Sequence, residues 1–158
     1  MRVAPSCRPV APRAAPSSPP EATPVLPAGH RLRASSDFAA VLRGPRGARA
    51  GSTLIVVHAG QTDARAGLPP RVGFVVSKSV GNAVVRNRTK RRLRALAAAR
   101  IGQVPAGVDV VVRANPAAAH ATSAQLGSEL DRLLPRVTAK VAAHAATAHA
   151  ASGVAAPS

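Results

Sequence analysis

The sequence predicts an α+β domain in which a small mixed four-stranded sheet packs with three helices, in the order α-β-β-β-α-β-α. Three observations carry this expectation. A chain of 158 residues is one domain long, with room for tails. Short runs of strand character, Thr53–His58, Arg71–Ser77 and Val108–Arg113, are bounded by Gly, Pro and Asn. Between and around them lie stretches with helical apolar spacing, opening near Ser35, Ala83 and Asn115.

Residues 1–24 are rich in Pro, Ala, Ser and Arg, lack apolar periodicity and read as a disordered N-terminal tail. They hold no apolar run long enough for a secretory leader. Cys7, the only cysteine, has no partner for a disulfide within one chain. The folded unit is expected over 25–138, with Val25 as a candidate initiator, since valine codons can start translation in bacteria. Ser35 or Ser36 is placed to cap the first helix, and Asp37 suits its positive end. Phe38, Val41 and Leu42 share one face of it, and Gly44-Pro45 ends it. Residues 44–51, rich in Gly and Arg, accommodate a short edge strand. Thr53–His58 is a continuous apolar run, suited to a strand buried on both faces. Residues 60–70 read as a loop.

In Arg71–Ser77, residues Val72, Phe74 and Val76 lie on one side at period two. Gly81 and Asn82 break that pattern, Gly81 being free to take a positive φ and Asn82 being a good N-cap. A helix is then predicted from Ala83 as far as Ile101, with Gly102 as its stop. At 100° per residue, Val85, Thr89, Leu93 and Leu96 form one narrow core-facing stripe. Arg86, Lys90 and Arg94 stack at i, i+4 on a second ridge, with Asn87 and Arg91 beside it and Arg88 and Arg92 on the far flank. Like charges at that spacing weaken an isolated helix, and no acid occurs between Asp63 and Asp109 to offset them. An ordinary solvated helix face mixes both signs, whereas this one carries a single sign. The natural partner is a nucleic-acid backbone, whose phosphates suit bidentate Arg forks. The net charge of +16 agrees.

Val108–Arg113 forms the fourth strand, and Asn115-Pro116 opens the last helix, with Leu126, Leu130, Leu133 and Leu134 on one side. Residues 139–158, rich in Ala and poor in bulky apolar groups, are expected to be a flexible tail. No segment has 18 continuous strongly apolar residues, so no membrane span is expected.

The run Ser77-Lys78, Gly81-Asn82-Ala83-Val84 and Arg86-Asn87-Arg88-Thr89-Lys90-Arg91-Arg92-Leu93-Arg94 resembles the signature of the protein subunit of bacterial ribonuclease P. The resemblance covers roughly Leu26 to Leu134 and is strongest in this run. It implies a sandwich similar to the second domain of ribosomal protein S5. It also implies RNA contact through Lys78, Arg86, Asn87, Arg88, Lys90, Arg91 and Arg94, with Gly81 and Asn82 shaping the turn and the cap. In that family an aromatic on the first helix lines a cleft for the single-stranded 5′ leader of precursor tRNA, where bases can stack. The corresponding candidates here are Phe38, Leu42, Val75 and Ser79. Leu42 and nearby aliphatic residues stand where relatives often carry further aromatics, so weaker stacking is expected.

The residues themselves offer no catalytic site. Glu21, Asp37, Asp63, Asp109, Glu129 and Asp131 are scattered over different elements, and the five histidines lack metal-ligand spacing. No cofactor or metal is therefore expected on this chain. The resemblance implies that the RNA subunit, with bound magnesium, cuts precursor tRNA, while this chain acts as its protein cofactor. The implied partners are ribonuclease P RNA and precursor tRNA, with one protein copy per RNA and a cytoplasmic location. A non-catalytic basic RNA-binding protein of ribosomal or nucleoid type would share the charge but not the ordered run from Ser77 to Arg94. A membrane-surface protein would need bulky apolar residues opposite the basic face, where this helix offers only Val85, Leu93 and Leu96.

Overall fold

A computed structural model describes residues 25–152. The expected tail over residues 1–24, and the initiator question tied to it, lie outside the described residues. Helix α1 (Ser35–Arg43) is followed by strands β1 (Ala48–Gly51), β2 (Ile55–Gln61) and β3 (Arg71–Val76). Helix α2 (Ala83–Ala98), strand β4 (Val108–Ala114) and helix α3 (Ser123–Ser152) complete the chain. The sheet has the order β1-β2-β4-β3. β1 and β4 run antiparallel to β2, while β3 runs parallel to β4, with α2 as the crossover between them. This is the mixed four-stranded sheet with three helices, in the predicted order.

The central strands β2 and β4 are largely buried on both faces, which is why they read as nearly unbroken apolar runs. On one face Ile55, Val57, Val72, Val110 and Val112 meet Leu93 of α2 and Leu126, Leu130, Leu133 and Val137 of α3 in the main core. On the other, Val111 meets Leu32 and Val41, with Phe38 and Val75 packed against them. Gly73 of β3 is needed under that second cluster, because a Cβ there would come within 2.6 Å of the Phe38 ring.

Several boundaries differ from expectation, each for a local reason. Neither Ser35 nor Ser36 caps α1. Asp37 N–H and Phe38 N–H donate to the carbonyl of Ala34, which makes Ala34 the N-cap and draws both serines into the first turn. α2 stops at Ala98, before Ile101, because Arg100 turns back to donate to the Leu96 carbonyl at 3.0 Å and to Asp131 of α3 at 2.8 Å. Pro116–Ala119 forms only a 3₁₀ turn. α3 starts instead at a capping box, in which Gln125 N–H donates to Thr122 Oγ1 at 3.2 Å and Thr122 N–H donates to Gln125 Oε1 at 2.9 Å.

The largest difference is at the far end. α3 passes through Pro135 and continues to Ser152, where a flexible tail had been expected from residue 139. Alanine is the strongest helix former, so the Ala-rich composition that looked featureless favours continuation. Val137 and Val141, buried beyond the proline, carry the apolar stripe of Leu130, Leu133 and Leu134 onward.

Candidate nucleic-acid interface

The turn into α2 is built by two residues. Gly81 sits at φ +152°, a region that disfavours side chains, and a Cβ there would press within 3.1 Å of Val85. Asn82 Oδ1 accepts the N–H of Val85 at 3.0 Å and closes the N-terminus as expected. Along the inner side, Thr89, Leu93 and Ala97 are buried, and Val85 and Leu96 are half-buried. Thr89 can be buried because its hydroxyl donates to the Val85 carbonyl at 3.0 Å.

That packing turns the cations outward. Asn87, Arg88, Lys90 and Arg91 are exposed, and Arg86 and Arg94 are half-buried. None of these five cations holds a carboxylate among the described residues, although other arginines do. Arg71 binds Asp109 at 2.6 Å and Asp37 at 2.9 Å, Arg100 binds Asp131, and Arg132 binds Glu129 at 2.6 Å. Those four carboxylates are therefore all engaged elsewhere. Arg92 is also set apart, since its Nη1 donates to the carbonyl of Ala121 at 3.2 Å and ties α2 to the start of α3. Lys78 is exposed on the 3₁₀ turn Lys78–Val80, which is anchored by buried Val80.

The leader-cleft candidates divide. Phe38 and Val75 come together on the α1 side of the sheet. Leu42 lies on the same helix with 42 % of its surface exposed. Ser79 is outside that cluster, exposed on the turn after β3, with its hydroxyl 2.6 Å from that of Ser77. The register adds three residues that sequence reasoning missed. Arg49 pairs with His58 across β1 and β2, His58 with Val111 across β2 and β4, and Arg113 with Val75 across β4 and β3. Side chains alternate along each strand, so all share the face of Val111, Phe38 and Val75. Period two counted from Val111 would have flagged Arg113. Burial, then the nearby charges of Arg49 and Arg113, lower the pKa of His58, so this cationic face presents a neutral imidazole near pH 7.

Arg71 anchors the edge of this surface. It links β3 to β4 through Asp109, which is 6 % exposed, and links both to α1 through Asp37. The hydrogen bonds that Arg71 donates to Asp109 are the main reason its pKa is raised. No group of His, Cys, Asp and Glu among the described residues could hold a metal ion. No described helix is long and apolar enough to cross a membrane.

Comparison with known proteins agrees with this geometry. A family model described as "Ribonuclease P" matches residues 26–138. The ribonuclease P protein component of Acidothermus cellulolyticus is 54% identical over 115 residues, covering 72% of this chain and 92% of its own. That of Beutenbergia cavernae is 56% identical over 107 residues, covering 68% and 87%. Among solved structures, the Staphylococcus aureus RNase P protein superposes with a TM-score of 0.60 at 26% identity, covering 69% of this chain and 97% of that one. The Thermotoga maritima RNase P protein gives a TM-score of 0.56 at 24% identity, over 68% and 94%, and supports the fold.

Proposed function

The chain belongs to the ribonuclease P protein family, as the protein component of that ribonucleoprotein endoribonuclease and a partner of its RNA, and we propose that the outer face of α2 is where the RNA docks. Lys78, Arg86, Asn87, Arg88, Lys90, Arg91 and Arg94 make the contacts, the arginines by bidentate forks to phosphate and Asn87 by neutral hydrogen bonds. The observation that carries this reading is the ridge of cations without carboxylate partners among the described residues, where Arg71, Arg100 and Arg132 do hold carboxylates. The ribosomal or nucleoid alternative falls away with family membership.

On the same reading, the 5′ leader of precursor tRNA lies across the α1 side of the sheet, where Phe38 and Val75 offer apolar contact and Arg49 and Arg113 offer charge. Phe38 is the only aromatic on that face, so stacking there is confined to one ring. The chemistry belongs to the RNA subunit and its magnesium, in the cytoplasm, with one protein copy per RNA. Neutralised phosphates repel less, so the protein lowers the magnesium the two RNAs need to come together.

Replacing Arg86, Lys90 and Arg94 together by Ala tests the docking face. Salt titrations of ribonuclease P RNA binding are expected to show weaker affinity and a slope flatter by about 0.7–0.9 for each lost phosphate contact. An unchanged slope would mean that the ridge faces water in the complex.

A further inference from the structure

A second row of cations takes shape only in the folded chain. α3 continues through Pro135 to Ser152, and that continuation sets Arg132, Arg136, Lys140 and His144 at i, i+4 along one helix, about 6 Å apart on its axis. All four are exposed. Arg132 is held by Glu129 at 2.6 Å, whereas Arg136, Lys140 and His144 have no hydrogen-bond or ion-pair partner among the described residues. No acid is left to pair with them, because Asp131 is bound by Arg100 and none of residues 132–158 is acidic. The row also lies apart from the α2 ridge. Asp131 turns toward α2, while Glu129, which holds Arg132, lies beside Ser52 in the turn between β1 and β2.

We propose that this row is a second RNA-docking face, on which Arg136 and Lys140 hold phosphates of ribonuclease P RNA and Arg132 and His144 extend the track. The inference rests on the reading of the chain as a partner of that RNA, and it adds a surface that shares no residue with α2. Lys140 and His144 lie past residue 138, where the match to the family model ends. Two plainer accounts explain the row less well. Contact with the helix dipole reaches only the last turn, which His149 occupies, and Arg136 and Lys140 lie well inside a helix that ends at Ser152. A face kept merely soluble would mix both signs. Like charges at this spacing weaken the helix in the free chain, and a bound anion would offset that cost. A phosphate backbone has the matching sign and reach, because it offers a charge at every nucleotide. The exposed neighbours Ala139 and Ala143 give a lipid surface no bulky apolar group to take up.

The test is a fluorescence-anisotropy titration of the full chain, over a range of salt, with ribonuclease P RNA and, in parallel, with precursor tRNA. The variants are the pair Arg136→Ala with Lys140→Ala, the charge-keeping pair Arg136→Lys with Lys140→Arg, and Arg88→Ala on the α2 face. Alanine favours the helix, so α3 should stay formed in the alanine pair, which circular dichroism checks. The proposal expects the alanine pair to bind ribonuclease P RNA roughly tenfold more weakly, with a salt slope flatter by about 0.7–0.9 for each lost contact. It expects the charge-keeping pair to bind as wild type does. An equal loss in both pairs would be a packing effect and would overturn the face. A loss on precursor tRNA alone would overturn the assignment to ribonuclease P RNA. An unchanged slope in the alanine pair, with Arg88→Ala impaired on ribonuclease P RNA, would overturn the α3 face and leave the α2 face standing. No change in any variant on either RNA would overturn both.

Discussion

Asp109 shows how single residues prepare this surface. It is nearly buried, and it survives there because Arg71 meets both its oxygens, at 3.0 and 2.6 Å, while Arg71 also reaches Asp37. Asp109→Asn leaves the half-buried Arg71 guanidinium with only Asp37 as a close countercharge, so the chain should lose about 1–3 kcal/mol of stability, measured by urea unfolding. His58 makes the opposite kind of statement. Its pKa is lowered in the folded chain, so the unfolded chain takes up that proton first as pH falls. The stability it contributes is present above about pH 6.5 and is lost as pH falls through the folded value. Wild type should therefore lose more stability between about pH 7.5 and about pH 5 than His58→Gln does, a difference that paired urea titrations would detect. An equal loss in both would show that His58 is not the group responsible. At this scale Asn82 and Gly81 could be read from the sequence, because capping and positive φ are local properties. The ion pairs of Arg71, and the placing of Arg49 and His58 beside Arg113, could not, since they need the strand register.

At the scale of the element, α2 was the most legible part of the chain. A core-facing stripe at 3.6-residue spacing, a cap and a single-signed outer face all sit within one local stretch, and Thr89, Leu93 and Ala97 are buried as that spacing requires. The ends of helices were less legible, because tertiary partners set them. Arg100 ends α2 through Leu96 and Asp131, and the Thr122–Gln125 box starts α3 one turn beyond the local Asn115-Pro116 signal, which makes only a 3₁₀ turn. The continuation of α3 past Pro135 was the least legible. An interior proline costs about 3 kcal/mol in an exposed helix, and here burial on both sides of it overrides that penalty. Val141, 1 % exposed, is the residue that ties the extension down. Val141→Ala should cost about 1–2 kcal/mol and lower helix content by circular dichroism. A change within error would show that the last turns are held by alanine propensity alone.

At the scale of the molecule, one side of the sheet is closed by α2 and α3, and the other is only partly closed by α1. The cations divide accordingly. Arginines paired with acids hold elements together, as at Arg71 and Arg100, while Arg86, Arg88, Lys90, Arg91 and Arg94, without a carboxylate partner among the described residues, line the outer face of α2. The fold class and strand order of appearance followed from periodicity, but the placement of β4 between β2 and β3 is a long-range property that no local window contains. We propose a cationic cofactor that docks on ribonuclease P RNA through its α2 ridge. The most direct measurement is cleavage of precursor tRNA by the cognate ribonuclease P RNA at low magnesium, without protein, with wild type and with the Arg86, Lys90 and Arg94 triple Ala variant. The account predicts leader release with wild type, little without protein, and a higher magnesium requirement for the variant. Equal cleavage in all three reactions would contradict it.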